Sequence, residues 1–115
     1  MARISSWNVR GLNWPNKDED VKIFLREKDI GLVGLLETKV KEKNVDRIAD
    51  NMFRGWRWQH NFHLNSKGRI WVAWRPQHYT VQILSIAKQY IHYRATQVTT
   101  MKKFFITFVY EANHE

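Results

Sequence analysis

The sequence predicts an α/β (α+β) fold of about seven strands and two helices in one small domain. The first half follows the order strand, helix, strand, helix, which is the pattern of an α/β unit. The second half alternates apolar and polar residues between short polar breaks, which favours antiparallel strands. With 115 residues, 43% of them hydrophobic and 14% aromatic, the chain is long and apolar enough to form a core.

Two predicted strands of the first half flank a predicted helix. The first strand covers residues 4–9, and the second, over 30–36, consists only of apolar residues and glycine, as expected of a strand buried on both faces. The helix covers 17–28, has acidic residues in its first turn, and has Asn16 or Asp18 as a possible cap. A right-handed crossover would place the two strands side by side and parallel.

A second helix is predicted over residues 40–53, with Asn44 as a possible N-cap. Its apolar positions recur at helical spacing and form one inner face, made of Val45, Ile48, Ala49 and Met52. Five further strands are expected after it, each bounded by turn residues, over 56–62, 69–75, 79–87, 90–98 and 103–110.

The positive charge of the chain is concentrated in its second part. The formal net charge is +8, and residues 51–115 carry 9 basic against 2 acidic side chains. That segment also holds four of the six tryptophans: Trp56, Trp58, Trp71 and Trp74. Basic residues interleaved with aromatic ones are typical of nucleic-acid contact, but a charged surface around a tryptophan-containing core gives the same pattern.

The composition excludes several classes of protein. Because the chain has no cysteine, disulfides, cysteine-ligated zinc and thiol catalysis are all excluded. No apolar run approaches the roughly 18 residues of a membrane span. No signal or transit peptide precedes the first predicted strand, so we expect a nuclear or cytoplasmic protein that is not secreted.

Two polar residues follow the apolar strands of the first half, Asn8 after the first and Glu37 after the second. Parallel strands bring their carboxyl ends to one rim, where open α/β sheets bind ligands. A carboxylate at this rim suits a hard cation such as Mg²⁺. The alternatives are a surface glutamate paired with Lys39 or Lys41, and an asparagine that caps the turn into Gly11.

Three segments of the chain together resemble the endonuclease/exonuclease/phosphatase superfamily: Trp7-Asn8-Val9-Arg10-Gly11-Leu12-Asn13, Leu35-Leu36-Glu37-Thr38-Lys39 and Val109-Tyr110-Glu111-Ala112-Asn113. More narrowly, the chain is similar to the apurinic-type endonuclease domain of plant LINE-type (non-LTR) retrotransposon polyproteins. The resemblance implies that residues 1–115 form the N-terminal half of a four-layer α/β/β/α sandwich, a partial domain truncated before its C-terminal half.

The resemblance also implies a chemistry, the hydrolysis of DNA (or RNA) phosphodiesters with Mg²⁺ or Mn²⁺. By motif, Glu37 corresponds to the metal ligand of the family and Asn8 to the asparagine beside the metal. Tyr110 corresponds to the tyrosine that positions the scissile phosphate, and Asn113 to a nearby substrate contact. Further nucleic-acid contacts are expected from basic residues near these motifs and in the basic segment, namely Arg10, Lys39, Arg69 and Arg75.

The chain departs from the family in its acidic residues, because no aspartate follows Asp50. The second half of the family domain carries an Asp-Phe-Asn-like motif, a further catalytic aspartate and a Ser-Asp-His set, none of which occurs here. We therefore expect a nuclease-like domain that is inactive alone and that self-associates or depends on a missing C-terminal half. The alternatives are a non-catalytic nucleic-acid-binding module and a part of a longer active polypeptide.

Overall fold

The described residues form seven strands and two helices, as the sequence predicts. The computed structural model describes residues 3–9, 11–12, 16–61 and 70–109. The elements follow one another in the order β1 (Arg3–Asn8), α1 (Lys17–Glu27), β2 (Ile30–Leu36), α2 (Glu42–Met52), β3 (Arg57–His60), β4 (Ile70–Trp74), β5 (Tyr79–Ile86), β6 (Tyr90–Gln97) and β7 (Lys103–Val109). The predicted α/β (α+β) fold class is confirmed.

The strands form two sheets, one with the order β1-β2-β4-β3 and one with the order β5-β6-β7. β1 and β2 are parallel neighbours, which confirms the predicted side-by-side parallel arrangement, and all other neighbouring strands are antiparallel. The chain passes from the first sheet to the second at the turn between β4 and β5. The helices pack on the outer face of the first sheet, so the layers run helix, sheet, sheet, consistent with half of a four-layer sandwich.

Two hydrophobic cores hold these layers together, and β2 contributes to both. Its Val33 and Leu35 face the helices, whereas Leu32 faces the second sheet. β4 alternates in the same way, with Trp71 in the helix-side core and Val72 between the sheets. A strand that is buried on both faces has no position for a polar side chain, which explains why these two segments are apolar throughout.

The helices match their predicted faces. In α2 the four predicted inner positions are all buried, and in α1 Val21 and Leu25 are buried while Phe24 packs on Trp7, with ring centroids 4.9 Å apart. Neither described helix, each of 11 residues, has the length and apolarity that a bilayer-spanning segment requires.

The N-cap residue of α1 is one of the two predicted, whereas that of α2 differs from the prediction. Asn16 is the N-cap residue of α1 but makes no side-chain capping hydrogen bond, because its backbone is left-handed, with φ of 65°. Asn44 does not cap α2. The helix begins at Glu42 after an extended Lys41, and the Asn44 backbone N–H donates to the Lys41 carbonyl within the first turn.

The two sheets approach each other closely at Gly34 of β2 and Phe108 of β7. A Cβ added at Gly34 would lie 2.5 Å from the Phe108 ring, well inside contact distance. The glycine is therefore needed for the close packing of the sheets. The contact also places β2 opposite β7, the edge strand of the second sheet.

A candidate metal and phosphate rim

The carboxyl ends of β1 and β2 continue to pair after the strands end. The Val9 N–H donates to the Leu36 carbonyl at 3.0 Å, the Gly11 N–H to the Glu37 carbonyl at 2.7 Å, and the Leu12 N–H to the Thr38 carbonyl at 2.8 Å. We call residues 8, 9, 11, 12 and 36–39 the β1–β2 rim. These hydrogen bonds hold the chain that follows Asn8 alongside Glu37, as the strand order predicts.

The rim is built from unusual backbone conformations. Glu37 and Lys39 have positive φ angles, 56° and 52°, and Gly11 has a φ of 103°. The left-handed conformation is unfavourable for residues with a Cβ by about 1–2 kcal/mol, so Glu37 and Lys39 are held there by their surroundings. Such residues cluster at functional sites, and this observation motivates a functional role for the rim.

The Asn8 and Glu37 side chains differ in exposure. Asn8 pairs in register with Leu36, which packs on the core between the sheets, so the Asn8 amide lies on the face toward the second sheet and is exposed. The Glu37 side chain is half-buried, and within the described part of the chain neither Lys39 nor Lys41 forms an ion pair with it. The structure gives no support to the alternative of a glutamate paired with those lysines.

These donors suit a hard cation but form only part of a coordination shell. Glu37 offers a carboxylate and Asn8 an amide oxygen, and Mg²⁺ is commonly bound by one or two carboxylates while it keeps several waters. Over the ranges that the structure describes, no group of three histidine, cysteine or acidic residues lies close enough to hold a metal. The residues of the rim therefore suit such a cation but supply only part of its ligands.

The other predicted site residues are divided between the rim, the opposite end of the sheet and undescribed parts of the chain. Lys39 is exposed at the rim. Arg75 lies at the opposite end, because its N–H donates to the carbonyl of Gly31 at the start of β2, about 20 Å along the strand from Glu37. The remaining predicted residues lie outside the described ranges: Arg10, Arg69, Tyr110 and Asn113.

Arg75 lines a cleft with other cations. The cleft has a volume of about 320 Å³ and includes Lys22, Arg26 and Arg54 in its wall, while Trp56 also borders it. α1 and α2 both end at this side of the molecule, and basic side chains there offset the negative ends of the helix dipoles. A structural role therefore accounts for this basic cluster.

The tryptophans of the basic segment are mostly core residues. Trp71 is fully buried and Trp74 is 7% exposed, so these two follow the alternative of a tryptophan-containing core. Trp58 and Trp56 are half-buried and pack on the helix-side core. A core strand and a base-stacking surface have the same sequence pattern of alternating aromatic residues. They differ only in whether another layer covers the aromatic face, and the sequence does not show which face is covered.

A buried asparagine that the sequence analysis did not single out connects the sheets at the same end as the rim. The Asn61 amide donates to the carbonyls of Ala87 and Lys88 at 3.2 and 2.8 Å, and its Oδ1 accepts from the Ile70 N–H at 3.0 Å. Asn61 is fully buried and joins the β3–β4 pair to the turn between β5 and β6. Its partners lie 26 and 27 residues away, so no local signal reveals them.

Two tyrosines lie between the sheets. Burial raises the pKa of Tyr93 far above its ordinary value, and the neighbouring Tyr79 raises that pKa further. Burial also raises the pKa of Tyr79. Both side chains belong to the core between the sheets, and with their raised pKa values both phenols stay neutral at pH 7. The Tyr93 hydroxyl has no hydrogen-bond partner among the described residues.

Comparisons with known proteins support the fold. No protein-family model matches the sequence, and no curated protein matches it either. The structure is similar to a crystal structure of an endonuclease/exonuclease/phosphatase family protein from Bacteroides thetaiotaomicron, with a TM-score of 0.60 and 10% sequence identity over 90% of this chain. The match covers 48% of that protein, so the chain spans about half its length. The chain has the fold of part of an endonuclease/exonuclease/phosphatase domain.

Proposed function

We propose that this chain is a nuclease-like domain of the endonuclease/exonuclease/phosphatase superfamily, of LINE-type retrotransposon origin, whose β1–β2 rim binds Mg²⁺ or Mn²⁺ beside a nucleic-acid phosphate. The observation that carries the proposal is the placement of Asn8 and Glu37 on hydrogen-bonded neighbouring strand ends. The structural similarity to a family member supports the fold on which this placement depends.

Each rim residue has a distinct role in this proposal. The Glu37 carboxylate binds the cation directly, and its half-burial strengthens the attraction between opposite charges. The exposed Asn8 amide donates an N–H hydrogen bond to a phosphate oxygen, or its side-chain oxygen accepts one from a cation-bound water. When bound, the cation supplies charge stabilisation to the phosphate. The lysine at position 39 adds a positive charge for the nucleic-acid backbone.

We further propose that the 115-residue chain does not cleave phosphodiesters by itself. Hydrolysis needs a group that accepts a proton from water, and general-base catalysis contributes about 10²–10⁴ in rate. His60 is a titratable residue at this end of the first sheet, but its strand β3 is two strands from β2, about 10 Å away. Cleavage would therefore require side chains from a longer polypeptide or a partner.

Incubation of the purified chain with supercoiled plasmid and Mg²⁺ tests this proposal. We expect no nicking above the level given by the Glu37→Gln variant, because a cation at the rim without a base does not activate water. Nicking by the parent chain that is lost in Glu37→Gln would contradict the proposed inactivity while assigning the activity to the rim. The matched control is Glu27→Gln, which makes the same substitution at the last residue of α1, at the end of the first sheet remote from the rim.

A non-catalytic nucleic-acid-binding module is the second candidate. The observation that favours it is the charge of residues 51–109, which contain nine basic and no acidic residues. A surface without carboxylates attracts the phosphate backbone whatever the sequence of bases. This candidate needs no metal at Glu37, so binding that is independent of both Mg²⁺ and Glu37 would distinguish it from the first.

A further inference from the structure

The second sheet has an outward face that no described helix or strand covers. In β6 the side chains of Ile91, Tyr93 and Ala95 belong to the core between the sheets, so the residues that alternate with them point away from the first sheet. β7 alternates in the same way, with Ile106 and Phe108 toward the core. Both described helices pack on the first sheet instead. We give the name β6–β7 face to these outward residues: Tyr90, His92, Arg94, Lys103, Phe105 and Thr107.

The β6–β7 face presents two oriented aromatic rings to solvent. Phe105 is 66% exposed, and its ring lies nearly parallel to that of His92, with 18° between the ring planes and 6.4 Å between the centroids. The His92 ring is held in place by a hydrogen bond of 2.6 Å between its Nδ1 and the Thr107 hydroxyl. Exposed aromatic rings fixed on a sheet provide a surface on which flat bases can stack.

The same face carries positive charge that no carboxylate neutralises. Arg94 lies between Gln82 and Phe105 in the strand register, and its guanidinium donates to the neutral Gln82 side chain. Lys103 adds a second, exposed cation on β7. Within the described ranges neither Arg94 nor Lys103 forms an ion pair, and residues 51–109 contain no acidic residue at all. The face therefore attracts a polyanion.

The charge of this face favours a polyanion over a further layer of polypeptide. A packed polypeptide layer would bury Arg94 and Lys103, which is costly unless each cation meets a carboxylate. The opposite face of β6 shows what a covered position looks like, because Ile91, Tyr93 and Ala95 are fully buried there. A phosphate backbone offers a negative charge at every nucleotide and leaves the cations partly in water.

We infer that the β6–β7 face binds a single strand of nucleic acid, whose bases stack on Phe105 and His92 while its phosphates contact Arg94 and Lys103. In a duplex the bases stack on one another, so their faces are not available to Phe105, whereas an unpaired strand can turn its bases onto the rings. This inference rests on the nucleic-acid-binding candidate above, to which it adds a surface and a strand type. It needs no cation at the β1–β2 rim.

Fluorescence anisotropy of a labelled oligothymidylate of about 15 nucleotides, titrated with the purified 115-residue chain at low salt in EDTA, tests the inference. Oligothymidylate forms no base pairs with itself, and EDTA removes any divalent cation from the rim. The expected result is saturable binding that an unlabelled duplex of the same length displaces less well than unlabelled oligothymidylate does. Absence of binding, or displacement by the duplex that is equal or better, would overturn the inference.

Substitutions at Phe105 test the stacking. Phe105→Ala should weaken binding of the oligothymidylate by about 5- to 150-fold, because one base loses its aromatic partner. Phe105→Trp should keep the parent affinity or raise it, since the larger ring also stacks. The matched control is Phe104→Ala, which removes the same ring from the neighbouring position on the other face of β7 and should leave the affinity unchanged. An equal loss in both alanine variants, or none in Phe105→Ala, would overturn the inference.

The salt dependence tests the phosphate contact separately. Arg94→Gln should lower the slope of log affinity against log salt concentration by about 0.7, the value for one phosphate contact to a single strand. Arg57→Gln, which removes the same charge from β3 of the first sheet, should leave the slope unchanged. Equal slopes in the two variants would assign the effect to net charge and overturn the inference. Duplex binding that requires Mg²⁺ and is unaffected by Phe105→Ala and Arg94→Gln would also overturn it, while the proposal for the rim would stand.

Discussion

Glu37 combines the carboxylate that we propose as the cation ligand with a strained backbone. Its φ of 56° is unfavourable for any residue with a Cβ, so glycine would adopt the same conformation at a lower cost in free energy. The hydrogen bond from Gly11 to the Glu37 carbonyl, at 2.7 Å, shows how the neighbouring chain fixes this conformation.

This strain predicts a difference between two variants that both lack the carboxylate. Glu37→Gly should be more stable than Glu37→Ala by about 1 kcal/mol, because alanine keeps the Cβ that disfavours the left-handed conformation. Urea unfolding followed by tryptophan fluorescence measures the difference. Equal free energies of unfolding for the two variants would contradict the strain at this position.

Tyr93 predicts the behaviour of the fold in alkaline solution. Its pKa is raised in the folded chain, so below about pH 10 the Tyr93 side chain is neutral in both the folded and the unfolded chain. Above that pH it ionises in the unfolded chain but stays neutral in the folded one. Stability should therefore fall as the pH rises above about 10, by about 1.4 kcal/mol per pH unit for this residue. Tyr93→Phe should remove that part of the slope, which urea unfolding at several alkaline pH values measures.

The same variant should behave differently at neutral pH. The buried Tyr93 hydroxyl has no partner among the described residues, so its removal leaves no broken hydrogen bond. Tyr93→Phe should be as stable as the parent chain or slightly more stable at pH 7. A loss of more than about 1 kcal/mol would show that the hydroxyl has a partner in the folded chain.

At the scale of elements, the sequence predicted all nine helices and strands because their apolar periods are clear. β2 is apolar at both faces, and α2 has its four inner residues at helical spacing. The cap of α2 was predicted wrongly, since Asn44 has the right chemistry for a cap but lies inside the first turn. Element ends depend on single backbone conformations, which no hydrophobic pattern encodes.

The contact between β2 and β7 predicts a coupling between two residues that are far apart in sequence. Gly34→Ala should lower the free energy of unfolding by about 1–3 kcal/mol, because the new methyl group would overlap the Phe108 ring. In a Phe108→Ala background the same substitution should be less destabilising, since none of the ring atoms that the methyl group overlaps remains. Urea unfolding of the two single variants and the double variant measures the coupling, and strict additivity would contradict it.

In the whole molecule, the strand pattern predicted two parallel strand ends at one rim, and the family resemblance predicted two packed sheets. The turn at which the chain changes sheets was not predicted, because the turn after Arg75 resembles any hairpin turn in the sequence. Arg75 is one of the expected nucleic-acid contacts, and the structure places it at the end remote from Glu37. The burial of Trp71 was not predictable either, because the residues of the helix-side core that cover it are remote in sequence.

The charge of the whole molecule predicts how it binds nucleic acid. Because residues 51–109 contain no acidic side chain, the affinity for single- or double-stranded DNA should fall steeply with salt. Fluorescence anisotropy with a labelled oligonucleotide, at low and physiological salt, measures the dependence. An affinity that does not change between these conditions would count against nucleic-acid binding by this surface.

We propose that the β1–β2 rim binds a divalent cation through Glu37. Paramagnetic broadening of backbone amide NMR signals by Mn²⁺ tests this binding, because broadening reports distance from the ion. We expect broadening centred on residues 8, 9, 11, 12 and 36–39 in the parent chain and in Glu27→Gln, but not in Glu37→Gln. Broadening that is spread over the acidic surface, or that persists in Glu37→Gln, would contradict it.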